Sequence, residues 1–135
     1  METPSKRRAL VADDDEVIRY SLTLFLRSMG FEVDVASNYI GTKEFLDRNV
    51  YALIISDNGM PISFEPDPDP TCGLQLLAYA KDGGHNVATP FVLHTAGDSS
   101  TTKEQAQKFG GVYLQKGGES TIKELTELIE TLLPR

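Results

Sequence analysis

Residues Tyr51-Ala-Leu-Ile-Ile-Ser56 run apolar with almost no alternation. A strand with one wet face alternates apolar and polar residues, so a run without a polar phase is covered on both faces. Both faces of a sheet are covered when helices pack above and below it, and that selects a parallel α/β architecture. The neighbouring segments agree. Arg8-Ala-Leu-Val-Ala12 reads as a second buried strand, ended by acids. Ile18, Leu22, Phe25 and Met29 then recur at helical spacing, and Gly30 follows at the position of a C-terminal cap. Phe31 to Val35 alternates as an edge strand does. Asn38 to Arg48 reads as a weaker helix, with Phe45 and Leu46 facing in and Gly41 inside it.

The second half repeats the scheme. Gly73 to Lys81 is helical and Gly83-Gly84 ends it. Pro90 to His94 is a fourth strand, and Asp98 to Phe109 a helix closed by Gly110-Gly111. Val112 to Gln115 is a fifth strand, and Ile122, Leu125, Ile129 and Leu132 mark the face of a last helix. Five strands thus alternate with five helices in one domain spanning residues 1–135. Parallel strands need crossovers, and these are right-handed, so the expected fold is a single doubly wound five-stranded sheet. Glu65-Pro-Asp-Pro-Asp-Pro70 interrupts the pattern, because three alternate prolines fit neither a helix nor a central strand.

Charge narrows the function. Acids outnumber bases 20 to 13, a net charge of -7. Such a chain repels a polyanion, so nonspecific nucleic-acid binding is not expected. One cysteine excludes an internal disulfide, and with two histidines it cannot build a structural zinc site. No apolar run spans a membrane and Met1 to Arg8 is no secretory signal, so a reducing cytoplasm is expected. Asp13, Asp14, Asp15, Glu16, Glu65, Asp67 and Asp69 account for the excess of acids.

In an open α/β sheet, ligands bind beyond the carboxyl ends of the strands. After the first strand stand Asp13, Asp14 and Asp15; after the third, Asp57; after the fourth, Thr95 and Ala96; after the fifth, Lys116. Crowded carboxylates are tolerable around a hard divalent cation, and an all-oxygen set suits Mg²⁺. Lys116 adds a point charge and Thr95 a hydroxyl, which together can hold phosphoryl oxygens. Asp57 leads the turn Asp57-Asn-Gly-Met-Pro61 and can act as a nucleophile toward phosphorus, forming an acyl phosphate.

With those residues in order, the chain resembles a two-component response-regulator receiver domain, single-domain and CheY-like. The matching pieces are Ala12-Asp-Asp-Asp-Glu16, Ile54-Ile-Ser-Asp-Asn-Gly-Met-Pro61, His94-Thr-Ala-Gly97 and Tyr113-Leu-Gln-Lys-Gly117, each after an expected strand. The resemblance implies a flavodoxin-like strand order 2-1-3-4-5. It implies Asp57 as phosphoacceptor, and Mg²⁺ held by Asp14 directly, Asp13 through water, Asp57 and the carbonyl of Gly59. It implies Thr95 and Lys116 as partners of the phosphoryl group, and Thr95 and Tyr113 as switch residues. The implied donor is a histidine kinase or phosphotransfer protein, and the implied output a downstream protein partner. A homodimer is compatible with it. Since the chain stops after the fifth helical period, output is expected through a partner protein, unless the sequence is an excised piece of a larger one.

Three departures stand out. An acidic, proline-rich insertion at about 62–72 separates Met60-Pro61 from Gly73-Leu74. Gly117 replaces the usual proline after the lysine, which removes the usual reason for a cis peptide there. Gly59 and Gly97 occupy positions that the family links to dephosphorylation rate. The insertion reads as a solvated loop or, in a sharper reading, as a lid or partner-recognition element. His94 reads as a packed or satisfied strand histidine, and Cys72, at a helix start, as inert unless its pKa is lowered. Asp15 reads as a helix cap. Whether such a domain is an enzyme is left open: it would phosphorylate itself and turn over no external substrate. The competing functions are a phosphorylation-independent pseudo-receiver that binds proteins and a small Mg²⁺-dependent phosphatase.

Overall fold

The computed structural model describes residues 7–64, 67–96, 100–117 and 120–133. Glu65, Pro66, Gly97, the Asp98 start expected for the fourth helix and residues 1–6 lie outside that set. The element order is β1 (Arg7–Ala12), α1 (Glu16–Ser28), β2 (Phe31–Ala36), α2 (Tyr39–Arg48), β3 (Leu53–Ser56), α3 (Cys72–Lys81), β4 (Phe91–Thr95), α4 (Ser100–Lys108), β5 (Val112–Gln115) and α5 (Ser120–Leu132). All neighbouring strands pair in parallel, in the order β2-β1-β3-β4-β5. The fold expected from the sequence is the fold observed.

The two-residue period of the strands sorts their side chains into two cores. Ala9, Val11, Leu53, Ile55 and Val92 face α1 and α5, where they meet Leu22, Leu26, Leu125 and Ile129. Leu10, Ile54, Phe91 and Leu93 face the other way, onto Leu46, Leu76 and Leu77 of α2 and α3 and Ala106 of α4. Every residue of β3 is buried, which is why its sequence has no polar phase.

Local signals fix the helix ends. Asp15 caps α1, accepting from the N–H groups of Val17 and Ile18. Gly30, after the C-cap Met29, takes φ +94°, a conformation that glycine adopts without a side-chain penalty. Asn38 caps α2 through Gly41 N–H, so the glycine that weakened the helical reading sits where the cap needs its amide. Element ends differ by a residue or two from expectation: α2 starts at Tyr39, α3 at Cys72, β4 spans Phe91–Thr95 and α4 ends at Lys108. β3 starts at Leu53, not Tyr51. Ile122, placed on the buried face of α5, is 44% exposed, while Leu125 is fully buried.

The insertion is anchored at both ends. Met60 and Asp69 exchange backbone hydrogen bonds as an antiparallel bridge, 3.2 and 2.8 Å, closing residues 61–68 into a loop. The carbonyls of Pro61 and Ile62 accept the first N–H groups of α2, Tyr39 and Ile40, at 2.9 and 3.0 Å. The insertion therefore completes the start of α2. Phe64 projects from it, 98% exposed.

Candidate functional site

The carboxyl ends of β1, β3, β4 and β5 form one rim. Parallel pairing aligns Ala12 with Ser56 and Thr95 with Gln115, so the residues just beyond these positions stand side by side. Asp57 N–H donates to the Ala12 carbonyl at 2.7 Å, and Lys116 N–H to the Thr95 carbonyl at 2.7 Å. The expected residues Asp13, Asp14, Asp57, Thr95 and Lys116 are brought to this rim.

Asp13 and Asp57 are buried, the Asp57 side chain 11% exposed, and Asp14 is exposed. One oxygen from each lies within 4.8 Å of the others. The Lys116 ammonium sits against this group, 2.7 Å from Asp13 Oδ2 and 3.1 Å from Asp57 Oδ2. The remaining oxygens are held by backbone: Asp13 Oδ1 accepts from Asp15 N–H and Asp57 Oδ1 from Asn58 N–H, at 2.9 and 2.8 Å. Arg19 adds a bond of 2.8 Å to the Asp13 carbonyl.

Burial and the neighbouring Asp13 charge raise the Asp57 pKa above the ordinary value, and Lys116 only partly offsets them. Burial works against the Lys116 ammonium, yet Asp13 and then Asp57 outweigh it, so its pKa is raised. One cation thus serves two buried carboxylates, with a third at the edge. The donors are all oxygen and all anionic, which fits a hard divalent cation; the geometry passes that test for Mg²⁺.

Thr95 ends β4, partly exposed, and among the described residues its Oγ1 makes a long 3.4 Å contact to the Ala96 carbonyl. Tyr113 lies half-buried against the α2–α4 core, in register with Leu93. Gly59 follows Asp57 by two, in an open turn where nothing would meet an added Cβ. Gly117 has φ +144°, which proline cannot adopt, so the departure from the usual lysine-proline pair has a backbone cause. There is no cis peptide bond among the described residues.

Sequence reading missed Asn58. Its carbonyl accepts from Gly73 N–H and its Oδ1 from Leu74 N–H, both at 3.0 Å, so it caps α3 from a distance. Thr71, at the N-cap position, makes no side-chain cap bond. The signal was an Asn, a preferred capping residue, beside the acceptor candidate; its partner lay across the insertion. Cys72 is fully buried and its pKa is pushed up to about 12 by burial and by Asp69, Asp57 and Asp14, so it is inert. His94 is packed at 4% exposure but not satisfied: neither ring nitrogen has a partner among the described residues.

Similarity to known proteins follows the same lines. Response regulator Rre1 of Synechocystis is 30% identical over 128 residues, and PilR of Pseudomonas aeruginosa 30% over 130. These matches take in 93% and 96% of this chain. The chain is a response-regulator receiver domain. It spans about half the length of Rre1 and about a quarter of PilR. No family model matches it. Among solved structures, the receiver fold is shared with Vibrio cholerae CheY4, with TM-score 0.79 and 22% identity over 96% of this chain and 100% of that one. It is shared too with TrrA of Thermotoga maritima, solved in complex with Mg²⁺-BeF, with TM-score 0.74 and 25% identity over 94% and 99%. The receiver domain of the sensor kinase PA1611, with a magnesium ion in its active-site cleft, superposes with TM-score 0.77 at 20% identity, over 97% of this chain and 100% of that one. No helix among the described residues is long and apolar enough to cross a membrane.

Proposed function

We propose that this receiver is a phosphoacceptor switch of a two-component or phosphorelay system in the cytoplasm, and that Asp57 takes the phosphoryl group. The observation that carries the reading is the Asp57 carboxylate at the rim, flanked by buried Asp13 and bonded by Lys116. The donor is a phosphohistidine of a histidine kinase or phosphotransfer protein. An Asp57 oxygen attacks phosphorus, the phosphorus–nitrogen bond breaks, and its electron pair stays on the imidazole, which takes up a proton. An acyl phosphate is left on Asp57.

Asp13, Asp14, Asp57 and the Gly59 carbonyl would hold Mg²⁺. When bound, the ion supplies positive charge between the carboxylates and the phosphoryl oxygens. Lys116 moves from pairing two carboxylates to pairing a phosphoryl oxygen, and its raised pKa keeps it charged for that task. Asn58 N–H, on Asp57 Oδ1, orients the carboxylate so that its other oxygen faces the donor. Thr95 has a hydroxyl whose contact among the described residues is long, so it can turn to the new phosphate. Tyr113, half-buried on the neighbouring strand opposite Leu93, carries the change to the surface read by a downstream protein.

The test is intact mass after acetyl phosphate and Mg²⁺. The wild-type chain should gain one phosphoryl mass and Asp57→Asn none. Label retained on Asp57→Asn would place the acceptor elsewhere; no label on either would leave the protein-binding pseudo-receiver.

A further inference from the structure

A pocket of about 230 Å³ lies behind the rim between α1 and α5. Ile18, Ser21 and Leu22 of α1, Ile122 of α5, His94 of β4, Lys116 and Gly117 line it. His94 shares its face of β4 with Val92, a position where both the sheet and the helices covering it call for an apolar side chain. The imidazole is 4% exposed and neither nitrogen has a hydrogen-bond partner among the described residues. An unsatisfied buried polar group of this kind destabilises the fold until something pairs with it.

Burial, and then the Lys116 charge, push the His94 pKa down to about 4, with Asp13 pulling weakly the other way. At neutral pH the ring is uncharged and offers one N–H and one lone pair. The Lys116 ammonium is engaged with Asp13 and Asp57, which leaves its stem to the cavity wall. Ile122, half-exposed against its helical pattern, stands at the mouth. The rest of the lining is aliphatic apart from the Ser21 hydroxyl and the Gly117 backbone.

An enclosed dry cavity of about 150 Å³ holds benzene. This pocket is larger, is open to solvent on the side of Ile122 and Ser21, and has one uncharged polar wall. We propose that the cavity binds a small, uncharged, single-ring molecule carrying a hydroxyl or ring N–H, which pairs with His94 while its ring packs on Ile18, Leu22 and Ile122. A charged ligand would lose more hydration in the aliphatic lining than His94 can replace. The site shares a wall, Lys116, with the phosphoryl site, but binding does not depend on phosphoryl transfer.

The probes are phenol and benzene, titrated at millimolar concentration into the ¹⁵N-labelled full chain without Mg²⁺ or phosphodonor. Amide signals of Ser21 and Ile122 and the ring nitrogens of His94 are followed. Phenol should shift them saturably and bind at least about tenfold more tightly than benzene, a difference of about 1.4 kcal/mol. Ile122→Trp, a change at a half-exposed position, should fill the mouth and abolish the shifts. The proposal is overturned if phenol gives no saturable shift, which would assign the imidazole to solvent water. Equal affinity for phenol and benzene, or shifts that survive in Ile122→Trp, would overturn it as well.

Discussion

Replacing Gly73 with alanine should destabilise the domain although helix propensity favours the change. Gly73 stands in the first turn of α3. A Cβ there would lie 2.3 Å from the Asp57 carbonyl oxygen, 2.6 Å from Leu93 Cδ1 and 2.8 Å from Asn58 Cα. Two of these atoms are backbone and cannot swing aside, so α3 must retreat by about 1 Å to reach ordinary contact. Propensity alone would stabilise by about 1 kcal/mol. Overpacking costs about 1–3 kcal/mol, and loosening the two Asn58 bonds about 1 kcal/mol each. The net loss is about 2–4 kcal/mol, or roughly 8–16 °C in Tm for a domain of this size. Urea unfolding followed by circular dichroism measures it. Gly59→Ala is the control, since nothing lies within 4 Å of its added Cβ, and should change stability by under about 0.5 kcal/mol. If Gly73→Ala matches the control or stabilises, the close approach of α3 to the acceptor turn is wrong.

Four more outcomes follow from the geometry. Because folding raises the Asp57 pKa, its charged form is penalised at neutral pH and relieved on acidification. Asp57→Asn should therefore be more stable than wild type at pH 7, with a gap that closes as pH falls toward the ordinary value of 3.8; a constant gap across urea titrations would refute the charge argument. Mg²⁺ at a hundredfold its Kd should add about 2.7 kcal/mol of stability, and Asp14→Ala should shrink that gain in thermal melts; equal wild-type melts with and without the ion would count against a metal site. His94 has the opposite pH sign: with its pKa lowered from 6.5 to about 4, it should cost the fold about 3 kcal/mol as pH falls across that window, and His94→Leu should flatten the profile. Shortening 62–72 to a tight turn should speed labelling by acetyl phosphate, by removing Asp67 and Asp69, and slow labelling by the cognate kinase; unchanged rates would leave the insertion as a structural support of α2 alone.

The parts of this molecule that sequence alone could reach are those with local causes. The unbroken Tyr51–Ser56 run specified a strand covered on both faces, and Asp15 and Gly30 marked the ends of α1 because a cap acts within a turn of its own helix. The acid, hydroxyl and lysine positions were legible because parallel topology sends each strand's carboxyl end to one rim. What escaped is non-local. Asn58 caps a helix more than ten residues downstream, and Pro61 and Ile62 complete one more than twenty residues upstream. Ile122 follows the helical period but is 44% exposed at the open pocket beside His94, so period and burial part company at the helix start. His94 interrupts the apolar run of β4, and only packing reveals that its nitrogens have no partner among the described residues.

The borrowed start of α2 has a consequence for the order in which the chain assembles. α1 carries its own cap and can close as soon as its residues have emerged. α2 has Asn38 as a local cap for Gly41 N–H, but its first two amides, Tyr39 and Ile40, depend on two carbonyls that follow by about 22 residues, beyond β3. Closing a loop of that length costs about 2–3 kcal/mol before either bond forms. During synthesis, β1, α1 and β2 can therefore dock while α2 still frays at its first turn, and α2 becomes firm only once the chain has run through β3 and turned back at Met60. Its leading amides, Tyr39 and Ile40, should accordingly be among the last helical amides to gain protection from hydrogen exchange during refolding.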